Sequence, residues 1–131
     1  MPAGSLARCE RGSGPVEFVL VGAVLTLLTL AVLQLGLAVY VRALVHDAAV
    51  EGAYHAALAD TDLADGAVRA TAIVDRTIGE GFVQGATAAV TDAGGYPAAS
   101  VTVVATFPIV GLWGVPEGWE VTAHAPLETL D

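Results

Sequence analysis

Glu17 is the residue whose surroundings most invite a chemical role, because it stands at the edge of residues 18–41, a run of 24 without a charge. A carboxylate at membrane depth is costly and is a functional candidate by default. The plainer reading is equally available: Pro15 is suited to open a helix, and an acid in the first turn offsets the helix dipole. Other reactive groups are sparsely set. Ser5, Ser13 and Ser100 lack the G-x-S-x-G context of a hydrolase nucleophile. His46, His55 and His124 show no HExxH or other ligand spacing, and Glu51 with His55 at i,i+4 reads as a surface pair. Gly79-x-Gly81 lacks the third glycine of a dinucleotide loop. Asp60, Asp62 and Asp65 invite a calcium reading, but the twelfth position of such a loop is Thr71 instead of an acid. Capping of a following helix by Asp62 or Asp65 explains them better. Cys9 is the only cysteine, which excludes an internal disulfide and a cysteine-based zinc site. The expectation is a protein that is not an enzyme and carries neither metal nor cofactor.

The elements around these groups follow from composition. The 131 residues are 55% hydrophobic and only 15% charged, with mean hydropathy +0.68. Residues 18–41 account for much of the excess. They satisfy the roughly 20 apolar residues needed to span a bilayer and exceed the apolar core of about 7–15 residues in a cleaved secretory signal. A purely soluble enzyme and a multi-span transporter are thereby excluded. Net charge is −9, from five arginines, no lysine and 14 acids, and all of it lies from Arg42 onward. Such a surface repels phosphate backbones, so nucleic-acid binding is not expected. Arg8 and Arg11 precede the apolar run and Arg42 follows it, an excess of one that favours a cytoplasmic N-terminus.

The junction reads Arg11-Gly12-Ser13-Gly14-Pro15-Val16-Glu17-Phe18 and then the apolar run. It resembles the processing site of type IV pilin precursors, and more closely the TadE/TadG-like minor pilins, or pseudopilins, of tight-adherence pili. The stretch from His46 to Ala57, with Ala48-Ala49-Val50-Glu51-Gly52-Ala53 at its centre, is similar to a motif of that family just outside the membrane. Val101 to Pro108 and Val121-Thr122-Ala123 are similar to its C-terminal strands. The resemblance implies cutting after Gly12 by a prepilin peptidase, Ser13 as the new N-terminus, and Glu17 as the acid at the fifth mature position. Residues i and i+4 share a helix face, so the Glu17 carboxylate can meet an amine at Ser13, or one from a neighbouring subunit. The implied partners are the peptidase, other pilins or pseudopilins, and pilus inner-membrane components. The implied location is the cytoplasmic membrane, crossed once, with an extracytoplasmic C-terminal part and incorporation in a pilus as a further option. An uncleaved membrane-anchored adaptor with a small interaction domain is the alternative.

The expected fold is α+β. A leader of residues 1–12 precedes a transmembrane and extended assembly helix over 13–60, and a small extracytoplasmic α+β domain fills 61–131. Ala48, Gly52 and Ala56 recur every four residues, as do Ala49, Ala53 and Ala57. These stripes are either ordinary helix-favouring alanine or a surface for close helix packing, with a partner helix in a filament or complex. A second, amphipathic helix is expected from about Asp62 or Asp65 to Gly79 or Gly81. Three short antiparallel strands follow, with Asp92-Ala93-Gly94-Gly95-Tyr96-Pro97 as a turn and clear alternation at Val101, Val103 and Ala105 and at Trp119, Val121 and Ala123. Between the last two strands Ile109, Leu112 and Trp113 make a strongly apolar loop, either a contact for a partner or the membrane or a flap over the small core.

Overall fold

The computed structural model describes residues 12–106 and 118–128. The apolar loop residues Ile109, Leu112 and Trp113 lie outside them. The architecture is α+β: helix α1 (Ser13–Ala57), helix α2 (Leu63–Thr77), and strands β1 (Val83–Asp92), β2 (Pro97–Ala105) and β3 (Trp119–Pro126). The strands form one antiparallel sheet in the order β1-β2-β3. The chain forms two compact units that meet in sequence between Leu35 and Gly36. The second, the folded unit, includes the later part of α1.

In its first half, α1 is apolar on every side and exposed on every side, from Val16 to Tyr40. A helix of that kind belongs in lipid or against other helices, and this one is long and apolar enough to cross a membrane. Its threonine hydroxyls are already satisfied: Thr26 Oγ1 donates to the Gly22 carbonyl and Thr29 Oγ1 to the Leu25 carbonyl, each at 2.8 Å. That matters in hydrocarbon, where no water would compensate them. Pro15 falls within the first turn, where its missing N–H costs no intrahelical bond.

The second half of α1 turns one face inward. Val41, Val45, Ala48, Ala49, Gly52, Ala53, Ala56 and Ala57 are buried, a stripe at helical spacing. The helix stops where Thr61 Oγ1 donates to the carbonyls of His55 at 2.6 Å and Leu58 at 3.1 Å, adding to the longer 3.4 Å bonds those carbonyls accept from the N–H groups of Leu58 and Thr61. Asp62 is the N-cap of α2, and its N–H donates to Asp65 Oδ2 at 3.4 Å. The three-aspartate cluster thus lies at a helix start. Gly79, at φ +128°, turns the chain away just after the C-cap Ile78, a conformation in which a side chain would be strained.

Small residues let α1 and α2 touch backbone to backbone. A Cβ placed on Gly52 would lie 2.5 Å from the Gly66 carbonyl oxygen, and one on Gly66 would lie 2.5 Å from both the Gly52 oxygen and the Ala56 Cβ. Ala70, the next residue along α2 on that face, is fully buried. The stripe, read from sequence as either helix-favouring alanine or a surface for a partner helix, is packed against the chain's own second helix. Its physical cause is a turn of five residues, 58–62, which returns α2 antiparallel onto α1.

The sheet covers the two helices with one face. Ala99, Val101, Val103 and Ala105 of β2 and Val121, Ala123 and Ala125 of β3 enter the core, joined by partly buried Ala86 and Ala88 of β1. The turn between β1 and β2 is held by Gly95 N–H donating to Asp92 Oδ1 at 2.6 Å, with Gly94 at φ +72° and Gly95 at φ +95°. Val45, Val74, Val101 and Val103 are the largest fully buried side chains. Such a core gives each valine only about 1.5–3 kcal/mol, so stability depends on tight approach more than on bulk.

Gly52→Ala or Gly66→Ala should therefore destabilise the folded unit by about 1–3 kcal/mol, read as a lower unfolding midpoint in detergent. Gly22→Ala and Gly36→Ala, where an added methyl meets nothing within 4 Å, should leave the midpoint unchanged or raise it.

Candidate functional site

The candidate site is the start of α1. Gly12 and Ser13 are exposed, and an added Cβ on Gly12 or Gly14 would meet nothing within 4 Å. The backbone around the Gly12–Ser13 bond is thus open to another protein. Helix α1 already begins at Ser13, two residues before the proline expected to open it. Glu17 is consequently the fifth helical residue, and no acid occupies the first turn. The dipole of a helix acts mainly within its first turn, so the plainer account of Glu17 loses much of its force.

Ser13 and Glu17 are related as i,i+4 and so share one helix face. The Glu17 side chain is exposed and makes no hydrogen bond or ion pair with any described residue. In the intact chain the backbone nitrogen of Ser13 is a neutral peptide N–H. If the Gly12–Ser13 bond is cut, the same nitrogen becomes an ammonium, a much stronger partner for a carboxylate.

Residues 12–53 match the family model for TadE-like proteins. This segment is TadE-like. The match begins at Gly12, takes in Ser13, Glu17 and the whole apolar run, and ends at Ala53 within the buried stripe of α1. The TadE-like segment thus holds the junction, Ala48 and Gly52, while Ala56, α2 and the sheet lie beyond it. No curated protein and no solved structure matches the chain.

The other sequence candidates are placed as follows. Ala48, Gly52 and Ala56 are buried within the folded unit, on the face of α1 that meets α2 and the sheet. Glu51 does not pair with His55: its Oε1 accepts from Arg69 Nη2 of α2 at 3.1 Å. The antiparallel return of α2 brings Arg69 alongside, which spacing on α1 alone did not reveal. Gly66 went unremarked as a packing residue, although Gly66 and Ala70 repeat on α2 the four-residue spacing of small residues seen on α1. Arg42 also gained a role: its guanidinium carbon lies 5.4 Å from the centroid of the Trp119 ring, within cation–π range. Among the described residues no three His, Cys, Asp or Glu side chains gather as metal ligands.

Both side chains of the Glu51–Arg69 pair are about half exposed, at 53% and 52%. A double-mutant cycle of Glu51→Ala and Arg69→Ala should give a coupling of about 0.2–1 kcal/mol that declines with added salt.

Proposed function

We propose that this chain is a minor pilin or pseudopilin, a structural component of a tight-adherence type of pilus assembly, processed after Gly12 by a prepilin peptidase. The observation that carries the reading is the exposed Glu17 carboxylate, without a partner among the described residues, one turn into an apolar helix that begins at the open Gly12–Ser13 bond. The TadE-like character of residues 12–53 supports it. In this reading the role is structural and involves no catalysis.

The physical sequence is short. The apolar half of α1 holds the precursor in the cytoplasmic membrane, with the leader on the cytoplasmic side and the folded unit outside. Removal of residues 1–12 creates a cationic N-terminus one helical turn from the Glu17 carboxylate. In lipid or between packed helices, that carboxylate is stabilised by an ammonium of its own chain or of the next subunit. The pairing gives subunits a common axial register, because only one depth brings the two charges together. Its partners in this reading are the peptidase, other pilins or pseudopilins, and inner-membrane components of the pilus machine.

One observation favours the alternative of an uncleaved anchored adaptor. The small-residue stripe of α1 is already covered by α2 and the sheet, so less of the helix is left for lateral packing in a filament.

N-terminal sequencing and intact mass of protein purified from membranes of peptidase-containing cells separate the two. The expected product begins at Ser13, and Gly12→Val should leave residues 1–12 attached. An intact Met1 terminus in the parent protein would select the adaptor. Glu17→Ala should be cleaved normally but fail to co-purify with pilus components, and normal assembly of that variant would remove the role given to the carboxylate.

A further inference from the structure

We infer that the end of the folded unit carrying Arg42 and Trp119 rests in the lipid headgroup layer, with the Trp119 ring as its interfacial anchor and Arg42 holding that ring in place. The inference rests on the membrane reading above and specifies which surface of the folded unit meets the bilayer.

Three observations converge. The uncharged run ends at Val41, so Arg42 is the first charge a membrane-crossing α1 presents on leaving hydrocarbon. Residues 36–41, the last part of that run, belong to the same compact unit as Trp119. Trp119 opens β3 opposite Ala105, the last residue of β2, and its ring lies 5.4 Å from the Arg42 guanidinium. The ring keeps 40% of its surface exposed. Tyr40, two residues before Arg42 and therefore about 3 Å away along the helix axis, is 61% exposed.

A tryptophan and a tyrosine at the depth where an apolar helix meets its first arginine form the arrangement that bilayer interfaces favour. Each ring is apolar in body and polar at its tip, suited to the boundary between acyl chains and headgroups. Arginine extends its charge to the phosphates while its stem stays in the apolar layer. A guanidinium stacked on an aromatic face retains N–H donors at its edge, so the Trp119 contact does not prevent a phosphate contact.

The direction of the sheet supports the same surface. Glu128 N–H donates to the Ala57 carbonyl at 3.0 Å, so the end of the chain after β3 lies at the C-terminal end of α1, while the start of β3 lies at Arg42. The strand thus runs alongside α1, and its Trp119 end is the one nearest the apolar run. Glu120 and His46 line a groove with Arg42, which makes a zwitterionic headgroup layer, carrying both signs of charge, a better match than a strongly anionic one.

The test uses the full chain carrying Trp113→Phe, which leaves Trp119 as the only tryptophan. It is reconstituted in phosphatidylcholine vesicles bearing a nitroxide either on the headgroup or near the acyl-chain end. The expected result is loss of Trp119 emission to the headgroup label and little loss to the deep label. Arg42→Gln should reduce the headgroup-label quenching. If the protein floats with the vesicles but Trp119 responds only to aqueous iodide, the anchor is overturned and the membrane reading survives. Shielding from both lipid labels and iodide that disappears on dilution into excess lipid would instead assign the surface to a second copy of the chain. Failure to float with vesicles would remove the membrane reading, and the anchor with it.

Discussion

The near contact of Gly52 with Gly66 is the constraint on which the folded unit depends. With no side chain on either residue, two helices approach until backbone carbonyl and backbone carbon share a van der Waals surface. The alanines beside them, Ala48, Ala56 and Ala70, then lose all or nearly all contact with solvent. Their burial supplies little transfer energy individually, but dense packing recovers many small dispersion contacts at once. A larger residue at either glycine would separate the helices and expose the whole seam. The valines of the sheet complete this seam and do not replace it.

Helix α1 thereby has two unlike halves on one hydrogen-bonded backbone. Up to Tyr40 it exposes leucine and valine in every direction and satisfies its two threonine hydroxyls. From Val41 onward it buries a single narrow face and exposes charge elsewhere. The change coincides with Arg42.

Much of this was legible in the residues themselves, and the reasons are local. Alternation at Val101, Val103 and Ala105 marks a strand with one buried face, and a turn rich in aspartate and glycine sets the β1–β2 register. Asp62 and Asp65 announced the start of α2, and Gly79 its end. At the junction, the types and order of Gly12, Ser13 and Glu17 were visible, and α1 starts at Ser13, where the assembly helix was expected to begin, despite the low helix propensity of Gly14 and Pro15. β1 is the least legible strand, because a register irregularity between Val83 and Gly85 interrupts its alternation. Tertiary partners were hidden for a different reason. Nothing in the order of residues on α1 says that Arg69 arrives beside Glu51, or that Gly66 fills the notch at Gly52. Both follow from the direction in which a five-residue turn sends α2 back, and that direction is a property of the turn and the sheet together.

The clasp between Glu128 and Ala57 has a practical meaning for anyone attaching something to this protein. It ties the strand after β3 to the C-terminal end of α1, so a fluorescent or affinity module joined beyond Glu128 departs from the folded unit at that end. The start of β3, with Trp119 and Arg42, is left clear. A label at the other terminus would instead be carried by residues 1–12 and would leave with the leader wherever the Gly12–Ser13 bond is cut. The two fusions would therefore report on different histories of the same chain, one following the folded unit throughout and the other only the uncut precursor.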